Sequence, residues 1–255
     1  MRYALRAARI SHDTRFQHQR PVVVQGAPRD ATEDMSDLAT SVLDSEGGAG
    51  AELRGHVPDD PSGVVLILHG GAEHGRMPVA WWRLPVLRMV PFASTITRRA
   101  GDDLAVLRLK NRVRGWNGSR QDPVHDARWA LDRIRRTLPG RPVVVVGHSM
   151  GGRVALHLGS EPDVAGVVAL APWIESDARQ PRPGTPVLLV HGTRDRITDP
   201  RRTNILAKRF SDNGVDVRHV RVEGGAHAML RDAAVWHDTV CDFVTTVLPG
   251  PGRTS

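Results

Sequence analysis

Cysteine is almost missing from this chain. Cys241 stands alone among 255 residues, so no internal disulfide can form and nothing calls for an oxidising compartment. A cytoplasmic location is therefore expected. Lysine is nearly as scarce, with Lys110 and Lys208 beside a large arginine complement. The arginines are scattered rather than clustered, so the formal charge of +7 does not point to a nucleic-acid partner. Long apolar runs are also lacking. No segment approaches the roughly 18 apolar residues of a membrane span, and the basic amino terminus has no continuous apolar core of a signal peptide. No membrane partner is expected.

With 40% hydrophobic residues, the chain can bury one large core, and a single α/β domain is the simplest reading. Residues 1–50 are rich in Arg, Gln, His, Asp, Ser and Gly and read mostly as an irregular or disordered tail, with Met35 as an alternative start. From residue 51 to 248, short β-rich runs alternate with helical stretches, the signature of parallel βαβ units. The expected strands are 52–57, 64–68, 104–109, 143–146, 164–170, 187–190 and 217–222. Residues 124–138 form an amphipathic helix that puts Ala127, Ala130, Leu131, Ile134 and Leu138 on one face and Asp126 largely elsewhere. Asp199 or Thr198 caps a helix running to Phe210, and a last helix spans about 233–247. Residues 249–255 are a tail rich in Pro and Gly.

The chemistry is announced at 143–152, where four valines precede Gly147-His148-Ser149-Met150-Gly151. A buried strand that turns sharply into a helix strains the backbone of the central serine, and Gly147 and Gly151 let neighbouring backbone approach it. A serine hydroxyl is a poor nucleophile near neutral pH, so Ser149 needs a base and an acid to orient that base. In an open α/β sheet these belong in loops at the carboxyl ends of later strands. The loop after 187–190 offers Asp195, which competes with the helix cap Asp199. The loop after 217–222 offers His227, flanked by Gly224 and Gly225; His219, within the strand, is the weaker candidate.

The order Ser149, Asp195, His227 resembles that of the α/β-hydrolase superfamily over about residues 51–248. The resemblance implies a mostly parallel twisted sheet with helices on both faces. His69-Gly70-Gly71 looks like the oxyanion loop, and the Gly-Ala-Glu-His that follows is similar to that of monoglyceride-lipase-like members. By that likeness Gly71 and Met150 donate backbone N–H groups to the oxyanion. Residues 114–119 resemble the structural R-G-x-G-x-S turn of many members. The family's first hairpin strand is not readable, unless Val22–Gln25 supplies it. The interval from Pro172 to Pro186 is too short for a cap domain, so an open site is expected, lined by His148, Met77, Trp116 and Trp173. Trp81 and Trp82 read as core anchors. No metal or cofactor is implied, since His69, Glu73 and His74 match no zinc spacing. The expected activity is cleavage of small-molecule carboxylic esters or thioesters through an acyl-enzyme. Amide or peptide hydrolysis and cofactor-free perhydrolysis on the same site, or a non-catalytic binding module, stay open.

Overall fold

The computed structural model describes residues 42–43, 50–248 and 250. Among the described residues, eight strands form one sheet in the order β1-β2-β4-β3-β5-β6-β7-β8. They are β1 Val42–Leu43, β2 Ala51–His56, β3 Gly63–Leu68, β4 Leu104–Lys110, β5 Val143–His148, β6 Val164–Leu170, β7 Val187–Gly192 and β8 Val217–Val222. Six of them, β3 to β8, run parallel. Strand β2 pairs antiparallel with β4, and β1 pairs antiparallel with β2. The hairpin strand that was not readable is therefore Val42–Leu43, inside the stretch taken as tail; Val22–Gln25 lies outside the described residues. Two residues are too few to show a periodicity, which is why sequence pattern passes over them.

The valine run explains the centre of the sheet. Val143 and Val145 join one core cluster and Val144 and Val146 the other, because successive strand side chains point to opposite faces. Helices α3 (Asp122–Thr137), α4 (Met150–Leu158) and α5 (Pro200–Asp212) cover the first face. The second face is covered by α2 (Val90–Ala100), entered through the short α1 (Leu84–Leu87), and by α6 (Ala233–Val247). Asp199 caps α5 by accepting from the Arg201 N–H, with Pro200 at the first helical position. One assignment on α3 is overturned. Asp126 is fully buried, where it accepts from the Arg112 backbone N–H at 2.9 Å and pairs with the Arg112 guanidinium. A helical wheel counts a carboxylate as polar, but this one is neutralised across the fold.

No helix among the described residues is long and apolar enough to cross a membrane. The interval 172–186 holds no helix or strand. It is pinned down instead: Arg182 N–H donates to the Gly159 carbonyl, and Asp177 accepts a bidentate pair from Arg153 at 3.1 and 2.7 Å. Arg153, on α4, is itself buried with its guanidinium 3.9 Å from the Trp116 ring centre and 4.5 Å from that of Trp173. Trp116 is thus a core side chain packed on Arg153 and His157, not the pocket wall expected of it.

Candidate active site

Ser149 sits between β5 and α4 with φ 56° and ψ −115°, a conformation costly for a residue with a side chain. The strain is enforced by close packing. A Cβ on Gly147 would overlap the Gly151 carbonyl, and one on Gly151 would come within 2.6 Å of the Leu68 oxygen. The turn is also tied to the next strand, since Ser149 N–H donates to Leu170 O at 2.9 Å and Trp173 N–H to Ser149 O at 3.1 Å. Half-buried Trp173 is thereby held beside the serine. Its indole N–H donates to Glu175 at 2.8 Å.

The Leu68–Gly75 loop reaches the same point from β3. An ideal Cβ on Gly70 would lie 3.3 Å from the Ser149 Cβ, and one on Gly71 would lie 2.6 Å from the Met150 sulfur. Gly71 and Met150 are therefore neighbours flanking the serine. Loop 111–118 braces this loop from outside: Ala72 N–H donates to Arg114 O, Trp116 N–H to Ala72 O, and Gly75 N–H to Asn117 Oδ1, each at 2.9 Å. Asn117, at φ 60°, also donates to Asp122 at 2.7 Å. The R-G-x-G-x-S-like turn is thus a strut for the Leu68–Gly75 loop. Both ring nitrogens of His69 are engaged within the fold. It lies 2.6 Å from the Gly70 carbonyl through Nδ1 and accepts from Asn111 N–H through Nε2 at 3.1 Å. Burial pushes it down to about pKa 4, so it is neutral.

Asp195 and His227 meet from different strands. His227 Nδ1 lies 2.8 Å from Asp195 Oδ2. That carboxylate is buried, which by itself would raise its pKa, yet it is held below the ordinary carboxylate range by donors on both oxygens. Oδ1 accepts from the Ile197 and Thr198 N–H groups at 2.8 and 3.1 Å, while Oδ2 also faces His191 Nε2 at 3.2 Å and the Thr198 hydroxyl at 2.9 Å. An ionised Asp195 fixes the proton of His227 on Nδ1 and leaves Nε2 as the basic nitrogen. The Ser149 hydroxyl itself makes no hydrogen bond among the described residues. In unliganded enzymes this link is commonly long and tightens only with substrate.

His148 is buried beside this pair, its ring 4.7 Å from that of His227 and its Nε2 3.0 Å from the His227 carbonyl. Burial, together with the nearby His227 ring, pushes it down to about pKa 3, so it is a neutral donor that anchors the His227 loop. It does not line an open pocket. Met77 is 60% exposed on the loop beyond Gly71. Trp82 is 77% exposed and no core anchor, whereas Trp81 is half-buried, stacked 4.7 Å under Arg54 and bonded to Glu52 at 2.7 Å. His191 and Thr198 escaped the sequence reading. His191 stands at the head of the loop after 187–190 and Thr198 reads as a helix cap, but both lie within four residues of Asp195, and the turn from β7 into α5 folds them onto its carboxylate.

The chain has the α/β-hydrolase fold, and the described residues include no cap domain. Residues 110–185 match the family described as serine aminopeptidase, S33, a stretch that includes Ser149 but neither Asp195 nor His227. Lipase LipV of Mycobacterium tuberculosis is 36% identical over 134 residues, which are 48% of this chain and 42% of that protein. The chain thus matches less than half of that relative's length. Among solved structures, XC6422 from Xanthomonas campestris, a serine hydrolase without lid, superposes with a TM-score of 0.63 at 17% identity, over 83% of this chain and 95% of that one. The esterase Est2 from Thermogutta terrifontis, solved with butyrate, gives 0.62 at 15% identity, over 85% and 97% of the two chains.

Proposed function

We propose that this protein is a serine hydrolase of carboxylic esters that works through an acyl-enzyme, with Ser149 as nucleophile, His227 as base and Asp195 as the acid that orients it. The 2.8 Å contact between His227 and an ionised, five-fold bonded Asp195, beside a strained serine, carries this reading. His227 Nε2 takes the Ser149 proton as the hydroxyl oxygen attacks the acyl carbon. The developing oxyanion is held by the Gly71 and Met150 N–H groups. His227 then protonates the leaving alcohol, and a water activated by the same imidazole releases the acid. With the 172–186 interval pinned to α4, small or extended soluble acyl groups suit the site, and thioesters fit the same machinery. The esterase and lipase relatives support the choice of ester.

Fluorophosphonate labelling and a chain-length panel of p-nitrophenyl esters test it. The wild-type chain is expected to label and to turn over esters, and Ser149→Ala to do neither while staying folded. Labelling that persists in Ser149→Ala refutes the nucleophile. The match to a serine aminopeptidase family favours amide hydrolysis as the second reading. Turnover of aminoacyl p-nitroanilides in preference to esters would establish it.

A further inference from the structure

Asp195 Oδ2 is approached by a second imidazole besides that of His227. His191, near the end of β7 and 1% exposed, places Nε2 3.2 Å from that oxygen, while His227 Nδ1 lies at 2.8 Å from the same atom. An ionised carboxylate has no proton to give, so each ring must present an N–H to it. His191 therefore carries a proton on Nε2. Its Nδ1 lies 2.7 Å from the hydroxyl of Thr203, which is fully buried in the first turn of α5, and that hydroxyl donates to it. Thr203, His191, Asp195 and His227 thus form one hydrogen-bonded line from α5 to the base.

Sharing an oxygen has an electrostatic consequence. Each donor on Oδ2 draws carboxylate charge toward itself, so the proton of His191 leaves less of that charge for His227. Without this donor the acid would hold an imidazolium at His227 more tightly, and the base would be freed only at higher pH. The surrounding groups do not take its place. His219 and Arg221 on β8, with Asp199 and Arg201 at the start of α5, border the same cavity as His191 and Asp195, and His148 on β5 abuts His227. Burial keeps His219 and His148 neutral, with pKa values pushed down to about 4 and about 3, and Asp199 is spent on the Arg201 N–H at 2.9 Å. Among the described residues, the Thr198 hydroxyl is the only other side-chain group on Oδ2, at 2.9 Å.

We propose that His191, held by Thr203, is a positioning residue of the active site: by donating to Asp195 it sets how firmly the acid retains a proton on His227, and so the pH at which Ser149 is activated. The proposal rests on the triad reading above.

The test follows kcat/KM for p-nitrophenyl butyrate from about pH 5 to about pH 9 in the full chain and in His191→Leu, His191→Gln and Thr203→Val, with Tm as the folding control. In His191→Leu the acid-side limb is expected to move up by about 0.5–1 pH unit, with kcat lower by about tenfold. His191→Gln, whose amide reaches as far as Nε2, should restore the limb. Thr203→Val keeps the buried volume but frees Nδ1, and its limb should move the same way by less. A lower kcat with an unmoved limb in His191→Leu means that the ring only fills space and overturns the proposal; a wild-type profile does the same. Should the leucine variant not fold, an unmoved limb in Thr203→Val overturns it alone. Nitrogen NMR of the histidine rings in Ser149→Ala reads the same contact without turnover. His191 is expected as the Nε2–H tautomer, and the His227 titration midpoint should rise once His191→Leu is added; an Nδ1–H tautomer or an unmoved midpoint overturns the assignment. A chain that shows this coupling yet neither labels with fluorophosphonate nor cleaves esters loses the triad reading and keeps His191 as the partner of Asp195.

Discussion

Gly71→Ala tests the oxyanion loop at the point where the structure leaves least room. The added methyl would lie 2.5 Å from the Arg114 carbonyl and 2.6 Å from the Met150 sulfur, where ordinary contacts are 3.4–4 Å. The Met150 thioether can swing away. The Arg114 carbonyl cannot, because it is backbone and accepts from the Ala72 N–H at 2.9 Å. The loop must therefore retreat by about 1 Å, a displacement that can cost about a hundredfold in rate when it misplaces a catalytic group. Loss of one oxyanion donor costs a similar amount, about 2.7–4 kcal/mol of transition-state stabilisation. The expected result is a kcat lower by about 10² or more with KM changed little, since the donor strengthens its bond only as the oxyanion forms. Steady-state kinetics on p-nitrophenyl butyrate measures this, with Tm as the control for folding. A folded variant with kcat within about threefold of wild type would show that Gly71 does not hold the oxyanion.

Three further outcomes follow from the same contacts. His69 and His148 are buried neutral, with pKa values of about 4 and about 3 against an ordinary 6.5, so below that value the unfolded chain binds protons that the folded chain refuses. Stability is then full above about pH 7 and is lost as pH falls, by about 2 kcal/mol for each histidine by about pH 5. Urea unfolding across that range checks it, and a flat profile contradicts the buried neutral rings. Thr198→Val removes the hydroxyl 2.9 Å from Asp195 Oδ2 and 3.2 Å from His227 Nδ1 while keeping its volume. Here kcat should drop about tenfold with a shifted pH limb, and Thr198→Ser should restore both; a valine variant as active as wild type removes Thr198 from the acid's support. Arg153→Met strips the bidentate partner from Asp177 and the cation from between two tryptophans, which should cost about 2–4 kcal/mol by chemical denaturation. Lysine should not rescue it, because it lacks the planar fork; full stability in the lysine variant would mean charge alone suffices.

Strand β6 at Val164–Leu170, strand β8 at Val217–Val222 and helix α6 at Ala233–Val247 were legible to the residue, because both their periods and their ends are written in local residue types. The same holds for the elbow, whose glycines are demanded by backbone contacts only a few residues away. Chain order alone was enough to nominate Ser149, Asp195 and His227, since loops at the carboxyl ends of parallel strands converge whatever their side chains are. What the amino-acid sequence could not decide is everything that depends on which side chain arrives from a distant strand. Asp126 became a buried acid because Arg112 meets it, and Trp116 left the pocket for the core because Arg153 stacks on it. A charged or hydroxyl group has no burial of its own. Its place is set by the partner that offsets its desolvation, and that partner is brought in by the fold.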